Sequence, residues 1–211
     1  MTRLLLLRHG QSEWNAAGRW QGWADPGLSP LGRVQAARAG ERLAEGDDTF
    51  AAVVSSDLTR SMATAEILAG ELGLGPPQAE RGLREFNVGE WSGLTRAEIE
   101  ARWPGDLDKW RHGQLEQMPG GETREEFEGR VFNTLAAISS GGSASRGTLL
   151  VVTHGGVIGT IERCIGAPVG RERLSNLRGR WFEVDGDRIA AGPEVALLDP
   201  DIESPAITPV P

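Results

Sequence analysis

Short apolar runs alternate along this chain with longer stretches of helical periodicity, and that alternation limits the folds open to it. The first run, Arg3 to Arg8, contains four consecutive leucines and reads as a buried strand. Ser29-Pro30 then opens a helix, with serine at the N-cap and proline at the first helical position. Leu31, Val34, Ala37 and Leu43 give that helix an apolar side, and Gly46 is placed to end it. Ala51 to Ser55 is a second strand. A helix is expected to follow it, with Asp57 as N-cap, Met62, Ala65, Leu68 and Leu72 inward, and Gly73 as its stop. The third buried strand, Thr148 to Thr153, precedes a helix carrying Val157, Ile158 and Ile161. Trp181–Val184 and Arg188–Ala191 flank Asp185-Gly186-Asp187, a hairpin signal. The alternation predicts an α/β fold: a three-layer α/β/α sandwich around a mostly parallel mixed sheet, with the hairpin adding the antiparallel part.

Residues 82–122 are less regular. They hold Trp91, Trp103 and Trp110, and a short helix predicted from Thr95, where Thr95 and Glu98 have capping-box spacing. The same box recurs at Thr123 and Glu126, before a helix with Phe127, Val131, Leu135 and Ile138 inward. Gly141 to Gly147 reads as a flexible Gly/Ser loop. A length of 211 residues suits one domain with a cap. We assign residues 1–198 to that domain, 86–121 to a lid within it, and 199–211, with prolines at 200, 205, 209 and 211, to a loose tail.

Composition narrows the function classes. The formal net charge of −8 argues against wrapping nucleic acid or an anionic membrane, so an anionic ligand needs a local positive pocket. No stretch approaches the ~18 apolar residues of a membrane span, and no secretory h-region is visible, so a cytoplasmic location is expected. One cysteine, Cys164, excludes an internal disulfide and a Cys-based zinc site. No cluster of histidines and carboxylates has metal-ligand spacing, and neither nucleotide-binding glycine motif is present. We expect no metal and no cofactor.

In open α/β sheets, ligands bind beyond the carboxyl ends of strands. Three predicted strands end in polar residues: Arg8-His9-Gly10, Ser55-Ser56-Asp57 and Thr153-His154-Gly155-Gly156. Two of the three histidines therefore occupy such ends; the third, His112, reads as surface. Arg60, in the first turn of its helix, could be an ordinary solvated arginine. Beside two histidines and a helix N-terminus, it could equally be half of a phosphate cradle. A neutral imidazole with one nitrogen pinned by an acceptor offers a metal-free route to phosphoryl transfer.

The run Leu5-Leu6-Leu7-Arg8-His9-Gly10-Gln11-Ser12-Glu13-Trp14-Asn15 resembles the signature of the histidine phosphatase superfamily, in its phosphoglycerate mutase-like branch. Trp20-Gln21-Gly22-Trp23-Ala24-Asp25, the Ser55–Ala65 block with Arg60, Leu83-Arg84-Glu85-Phe86, Gly120-Gly121-Glu122-Thr123 and Thr153-His154-Gly155-Gly156 follow in family order. The resemblance implies that His9 is the nucleophile and that Arg8, Arg60 and His154 clamp the phosphoryl oxygens, with Asn15 completing the pocket. It further implies that Glu85 is the general acid and base, and that Gln21 and Gly22 border the substrate. Gly155, next to His154, is counted with the substrate-binding residues. Gln11 departs from the glutamate that mutase relatives carry. The resemblance also implies that mutases are typically longer, with added sequence in the middle and at the C-terminus, so a length of 211 residues is expected to favour a phosphatase. The expected function is hydrolysis of a small organic phosphomonoester. A phosphoglycerate mutase is the alternative, and a catalytically silent phospho-ligand sensor a lesser one. Arg96, Arg102, Lys109 and Arg111 could accept the rest of the substrate, and a homodimer is compatible with such a fold.

Overall fold

The computed structural model describes residues 1–141, 147–168, 175–186 and 188–202. Asp187 of the hairpin signal, residues 142–146 of the expected Gly/Ser loop and the tail beyond Ile202 lie outside the described residues. The elements run β1 (Thr2–Arg8), α1 (Glu13–Ala16), α2 (Pro30–Ala44), β2 (Phe50–Ser55), α3 (Thr59–Glu71), β3 (Gln78–Ala79), α4 (Arg96–Arg102), α5 (Asp106–Arg111), α6 (Arg124–Ser140), β4 (Thr148–Thr153), α7 (Gly155–Cys164), β5 (Arg178–Asp185) and β6 (Arg188–Ala196). Single 3₁₀ turns lie at Arg81–Leu83 and Gly89–Trp91.

The six strands form one sheet in the order β3-β2-β4-β1-β5-β6. β1, β2, β3 and β4 pair in parallel, while β5 and β6 add the antiparallel side. The four leucines of β1 sit at the centre. Leu4 and Leu6 enter the core on one face with α6 and α7, and Leu5 and Leu7 enter the core on the other with α2 and α3. Fully burying a leucine side chain is worth ~1.5–3 kcal/mol, so this strand can only be a middle one. The expected three-layer α/β/α sandwich on a mostly parallel mixed sheet is the observed fold.

The elements differ from expectation in detail. Helix α2 begins on its Ser29 cap as predicted, but it turns a different face inward. Leu31 and Val34 are exposed, and Gly32, Gln35, Ala36, Ala39, Gly40 and Leu43 are buried. The reason is backbone proximity. A Cβ on Gly32 would lie 1.9 Å from the Gln11 carbonyl oxygen, and one on Gly40 would lie 2.6 Å from the Glu71 side chain on α3. The helix therefore packs through its smallest residues rather than its most apolar ones. Gly32→Ala is expected to cost about 1–3 kcal/mol by overpacking. At ~2–4 °C per kcal/mol for a chain of this size, a thermal melt of the variant would show the loss; an unchanged melting temperature would contradict the packing.

Helix α3 starts at Thr59 rather than just after Asp57. The Asp57 carboxylate is taken by a bidentate pair with Arg84, at 2.6 and 2.7 Å. Asp25 instead reaches the helix start, accepting from the Thr59 amide and hydroxyl at 2.6 Å each. The segment expected to be a lid sends Phe86, Val88, Trp91, Ile99, Leu107, Trp110 and Met118 into the core shared with Leu4 and Leu6. Both capping boxes, at Thr95 and at Thr123, are formed. Leu197 and Leu198 are buried, and the tail assigned from residue 199 is held as far as Ile202, whose carbonyl accepts from the Gln35 amide at 2.8 Å.

Candidate active site

Because β2, β4 and β1 are neighbours, their carboxyl ends converge on one edge of the sheet. The His9 amide donates to the Thr153 carbonyl at 3.0 Å, and the Ser56 amide donates to the Val152 carbonyl at the same distance. Residues remote in sequence thus meet where the strands stop. His9 and His154 are buried, with ring centroids 5.1 Å apart in an edge-on arrangement.

Arg60 lies between the two rings. It is 1% exposed, so it is not the solvated helix arginine its position allowed. Its Nε donates to His9 Nε2 at 3.3 Å, and one terminal nitrogen meets His154 Nδ1 at 3.4 Å. The same guanidinium donates to the Gly22 and Ala24 carbonyls at 2.9 and 2.8 Å. These acceptors are neutral; among the described residues, no carboxylate hydrogen-bonds to this buried cation. Burial pushes its pKa down to about 10, opposed by the charges of Glu85 and Asp25 and assisted by Arg8, so it stays protonated at neutral pH. A buried charge whose hydrogen-bond partners are all neutral is costly, and that cost falls when an anion arrives.

The guanidinium also fixes both tautomers, since arginine only donates. His9 Nε2 must present a lone pair, which places the ring proton on Nδ1, 2.6 Å from the Gly10 carbonyl. His154 Nδ1 must accept, so its Nε2 carries the proton toward Ser56 Oγ at 2.9 Å, with Ser61 Oγ at 3.3 Å. Burial first, then the positive charges of Arg60 and Arg8, hold His9 well below the usual imidazole range. His154 is lowered by burial first and then by Arg60. Both rings are neutral at physiological pH, and His9 exposes an unprotonated nitrogen to the cation that would neutralise an incoming oxyanion.

Arg8 is half-buried, with Glu85 as its attractive charge. Gly155 opens α7 beside it; a Cβ there would lie 3.7 Å from Arg8 Cδ. Glu85 faces the same edge. Its carboxylate accepts from the Phe86 amide at 2.9 Å and from the Gly156 amide at 3.2 Å. Gly22 adopts φ +52°, and a Cβ would meet Val88 Cγ2 at 2.7 Å, so its backbone can face Arg60 only as glycine. Asn15 and Gln21 are joined through Ser12: Asn15 Oδ1 accepts from the Ser12 amide at 3.2 Å, and Gln21 Oε1 accepts from Ser12 Oγ at 2.7 Å. Among the described residues, these side-chain bonds stay within this loop rather than reaching the histidine–arginine group. Gln11 turns away, its amide oxygen accepting from the Ser29 hydroxyl at 2.7 Å. Of the lid cations, Lys109 and Arg111 pair with Asp106 and Asp108 on their own helix. His112 is exposed, as expected.

Several supporting residues were not singled out from sequence. Ser56, Ser61, Thr64 and Asn176 are buried around the histidines. Thr64 Oγ1 accepts from the Gly10 amide at 3.1 Å, and the Asn176 side chain donates to the His9 carbonyl at 2.8 Å. The serines and the threonine sit inside the Ser55–Ala65 block, where a polar stripe on a buried helix start was a usable signal. Asn176 carries no local signal. Among the described residues, no group of three or more His, Cys, Asp or Glu side chains is placed to hold a metal ion.

The family model for the histidine phosphatase superfamily (branch 1) matches residues 4–188. The chain belongs to that superfamily. Within it, the chain is 35% identical over 205 residues to the glucosyl-3-phosphoglycerate phosphatase of Mycolicibacterium vanbaalenii, covering 93% of this chain and 90% of the relative. It is 38% identical over 160 residues to the 2,3-bisphosphoglycerate-dependent phosphoglycerate mutase of Methylobacterium radiotolerans, covering 74% of this chain and 75% of the mutase. A solved mycobacterial glucosyl-3-phosphoglycerate phosphatase in complex with VO3 superposes with a TM-score of 0.77 at 32% identity, over 91% of this chain and 98% of that one. This member of the superfamily is a phosphatase of the phosphoglycerate mutase-like kind. Among the described residues, no helix is long and apolar enough to cross a membrane.

Proposed function

We propose that the protein hydrolyses a phosphoglycerate-type monoester carrying a sugar, of the glucosyl-3-phosphoglycerate class, through a phosphohistidine on His9. The observation that carries the chemistry is Arg60: a buried guanidinium, hydrogen-bonded to neutral acceptors, wedged against the lone pair of His9 Nε2. The phosphoryl group binds over Arg60, Arg8 and His154. His9 Nε2 attacks phosphorus, the N–P bond forms, and the bond from phosphorus to the leaving oxygen breaks. Glu85 gives its proton to that oxygen. It then takes a proton from the water that attacks the phosphohistidine, releasing inorganic phosphate and free His9. Positioning and charge stabilisation supply most of the acceleration in such transfers. The sugar-bearing substrate is favoured because the glucosyl-3-phosphoglycerate phosphatase aligns over 93% of this chain, and the mutase over 74%.

The test is to incubate the chelator-dialysed enzyme with glucosyl-3-phosphoglycerate and, separately, with 3-phosphoglycerate. Phosphate release from the first, unchanged by chelation and faster than from the second, is the expected result. Formation of 2-phosphoglycerate from the second, stimulated by 2,3-bisphosphoglycerate, would make the enzyme a mutase instead.

Gly156 gives a further expectation. A Cβ there would fall 2.1 Å from Glu85 Oε1, so alanine must push the carboxylate aside. A misplacement of about 1 Å can cost ~10²-fold in rate. Gly156→Ala should lower kcat/KM for an alkyl phosphate by that order without changing inhibition by inorganic phosphate. Wild-type kcat/KM would remove Glu85 from the reaction.

A further inference from the structure

Glu85 sits on an irregular segment, and irregular backbone near a core needs partners for its polar groups. Here four consecutive carbonyls are each held by a side chain from elsewhere. Gly82 O, Arg84 O and Glu85 O accept from Arg130 at 2.9, 2.7 and 2.7 Å. Leu83 O accepts from the Thr153 hydroxyl at 2.9 Å, and Glu85 O also accepts from the Trp23 indole at 2.8 Å.

Arg130 projects from α6. Its two remaining donor directions go to Glu122, Nε to Oε2 at 2.9 Å and Nη2 to Oε1 at 2.7 Å. The five N–H groups of one planar fork are thereby all used. Glu122 is nearly buried, and it passes the constraint on. Its Oε1 accepts from the Asn87 amide at 2.6 Å, and its own amide donates to the Asn87 carbonyl at 3.1 Å. One ion pair therefore grips the chain on both sides of Glu85, at residues 82, 84, 85 and 87.

The phosphate-binding group hangs from different supports. His9 follows β1, Arg60 is on α3 and His154 caps α7, and their hydrogen bonds go to Gly10, Gly22, Ala24, Ser56 and Ser61. Among the described residues, none of these bonds goes to Arg130 or Glu122. The two halves of the site meet at Trp23, Thr153 and Gly156 but are held by different side chains: one set holds the phosphoryl group, the other holds the acid.

We propose that Arg130 and Glu122 are positioning residues that set Glu85 for proton transfer to the leaving oxygen, and that their removal damages that transfer while leaving phosphate binding intact. The proposal rests on the reading of Glu85 as general acid. A residue that acts only on the fold would depress all substrates alike. A residue that places the acid must matter most where the leaving group needs a proton.

The experiment compares kcat/KM, which reports the steps up to phosphorylation of His9, for glycerol 3-phosphate and p-nitrophenyl phosphate. The variants are Arg130→Lys, which keeps the charge but not the fork, and Glu122→Gln, which keeps the shape but not the charge. Glu85→Gln is the reference. The expected result is a ~10–10²-fold loss on the alkyl ester and less than ~3-fold on the aryl ester in both variants, following Glu85→Gln in direction. The inhibition constant of inorganic phosphate should stay within ~2-fold of wild type, since one isolated hydrogen bond's worth of change would already exceed that. Equal losses on the two esters, or an undiminished alkyl kcat/KM, would overturn the proposal. Should Arg130→Lys fail to fold, Glu122→Gln decides alone. A leaving-group difference in Glu85→Gln but in neither variant defeats this inference only; no difference in Glu85→Gln defeats the reading of Glu85 beneath it.

Discussion

His9→Ala is expected to abolish turnover, by about 10⁴-fold or more, the scale seen when a covalent nucleophile is removed from a working site. His154 also turns an unprotonated nitrogen, Nδ1, to a terminal nitrogen of Arg60, but its protonated Nε2 is tied to Ser56, whereas the Nε2 of His9 meets the Nε of Arg60. Acid-labile phosphate should be trapped on the wild type after a rapid quench and be missing from the variant. Turnover within tenfold of wild type would end the phosphohistidine mechanism. The variant should also change the pH dependence of stability, in a direction fixed by linkage. Both histidines are lowered well below 6.5 in the fold, whereas in the unfolded chain they titrate near ~6.5. Below about pH 6.5 the unfolded state therefore binds protons that the native state refuses, and stability falls as pH falls through that window. His9→Ala removes one of the two contributions. Its melting temperature should decline less steeply than that of wild type between pH 7 and 5, and an equal slope would mean His9 is protonated in the fold.

Arg60→Ala is expected to lower kcat/KM by at least ~10²–10³-fold, as for the loss of a preorganised donor to a developing charge. It should also remove phosphate affinity directly. A ligand that binds only the native state raises stability by RT ln(1 + [L]/Kd), so phosphate or vanadate should raise the melting temperature of the wild type and not of the variant. Arg60→Lys should not rescue. A lysine cannot keep the Gly22 and Ala24 carbonyls while also reaching both imidazoles, because those four contacts use the planar spread of the guanidinium. A normal thermal shift in Arg60→Ala would move the anion site elsewhere.

Strands were legible wherever the chain is apolar on both faces, as in β1 and β4, since only a middle strand uses such a run. Glycine beside histidine at two strand ends marked the site, because the sheet edge concentrates function there. What was not legible depended on distances between backbones. The inward face of α2 follows Gly32 and Gly40, whose value is their lack of volume, and hydrophobic periodicity is blind to that. Asp57 looked like a helix cap because its claim by Arg84, 27 residues away, has no local trace. Asp25 filled the vacated role from a loop. Arg60 was ambiguous on its own, and its burial could not be read from a helix that is otherwise unremarkable. Arg130 was silent for the same reason: its partners are carbonyl oxygens, which every residue has.

The sheet order has a consequence for how this protein is made. β1 leaves the ribosome first, yet its two neighbours in the sheet are β4 and β5, which begin at residues 148 and 178. At ~5–20 residues per second, synthesis takes about 7–28 s to travel from the end of β1 to the start of β4. For that interval the four leucines and the nucleophile behind them have no strand to pair with on either side. The earliest-made part of the catalytic edge is therefore the last to be completed, and long-range parallel pairing of this kind is slow and exposed to aggregation. Between the synthesis of β1 and that of β5 this apolar strand lacks one or both of its partners, and a chaperone that shields it until residue ~185 emerges would act at the point where the fold is most vulnerable.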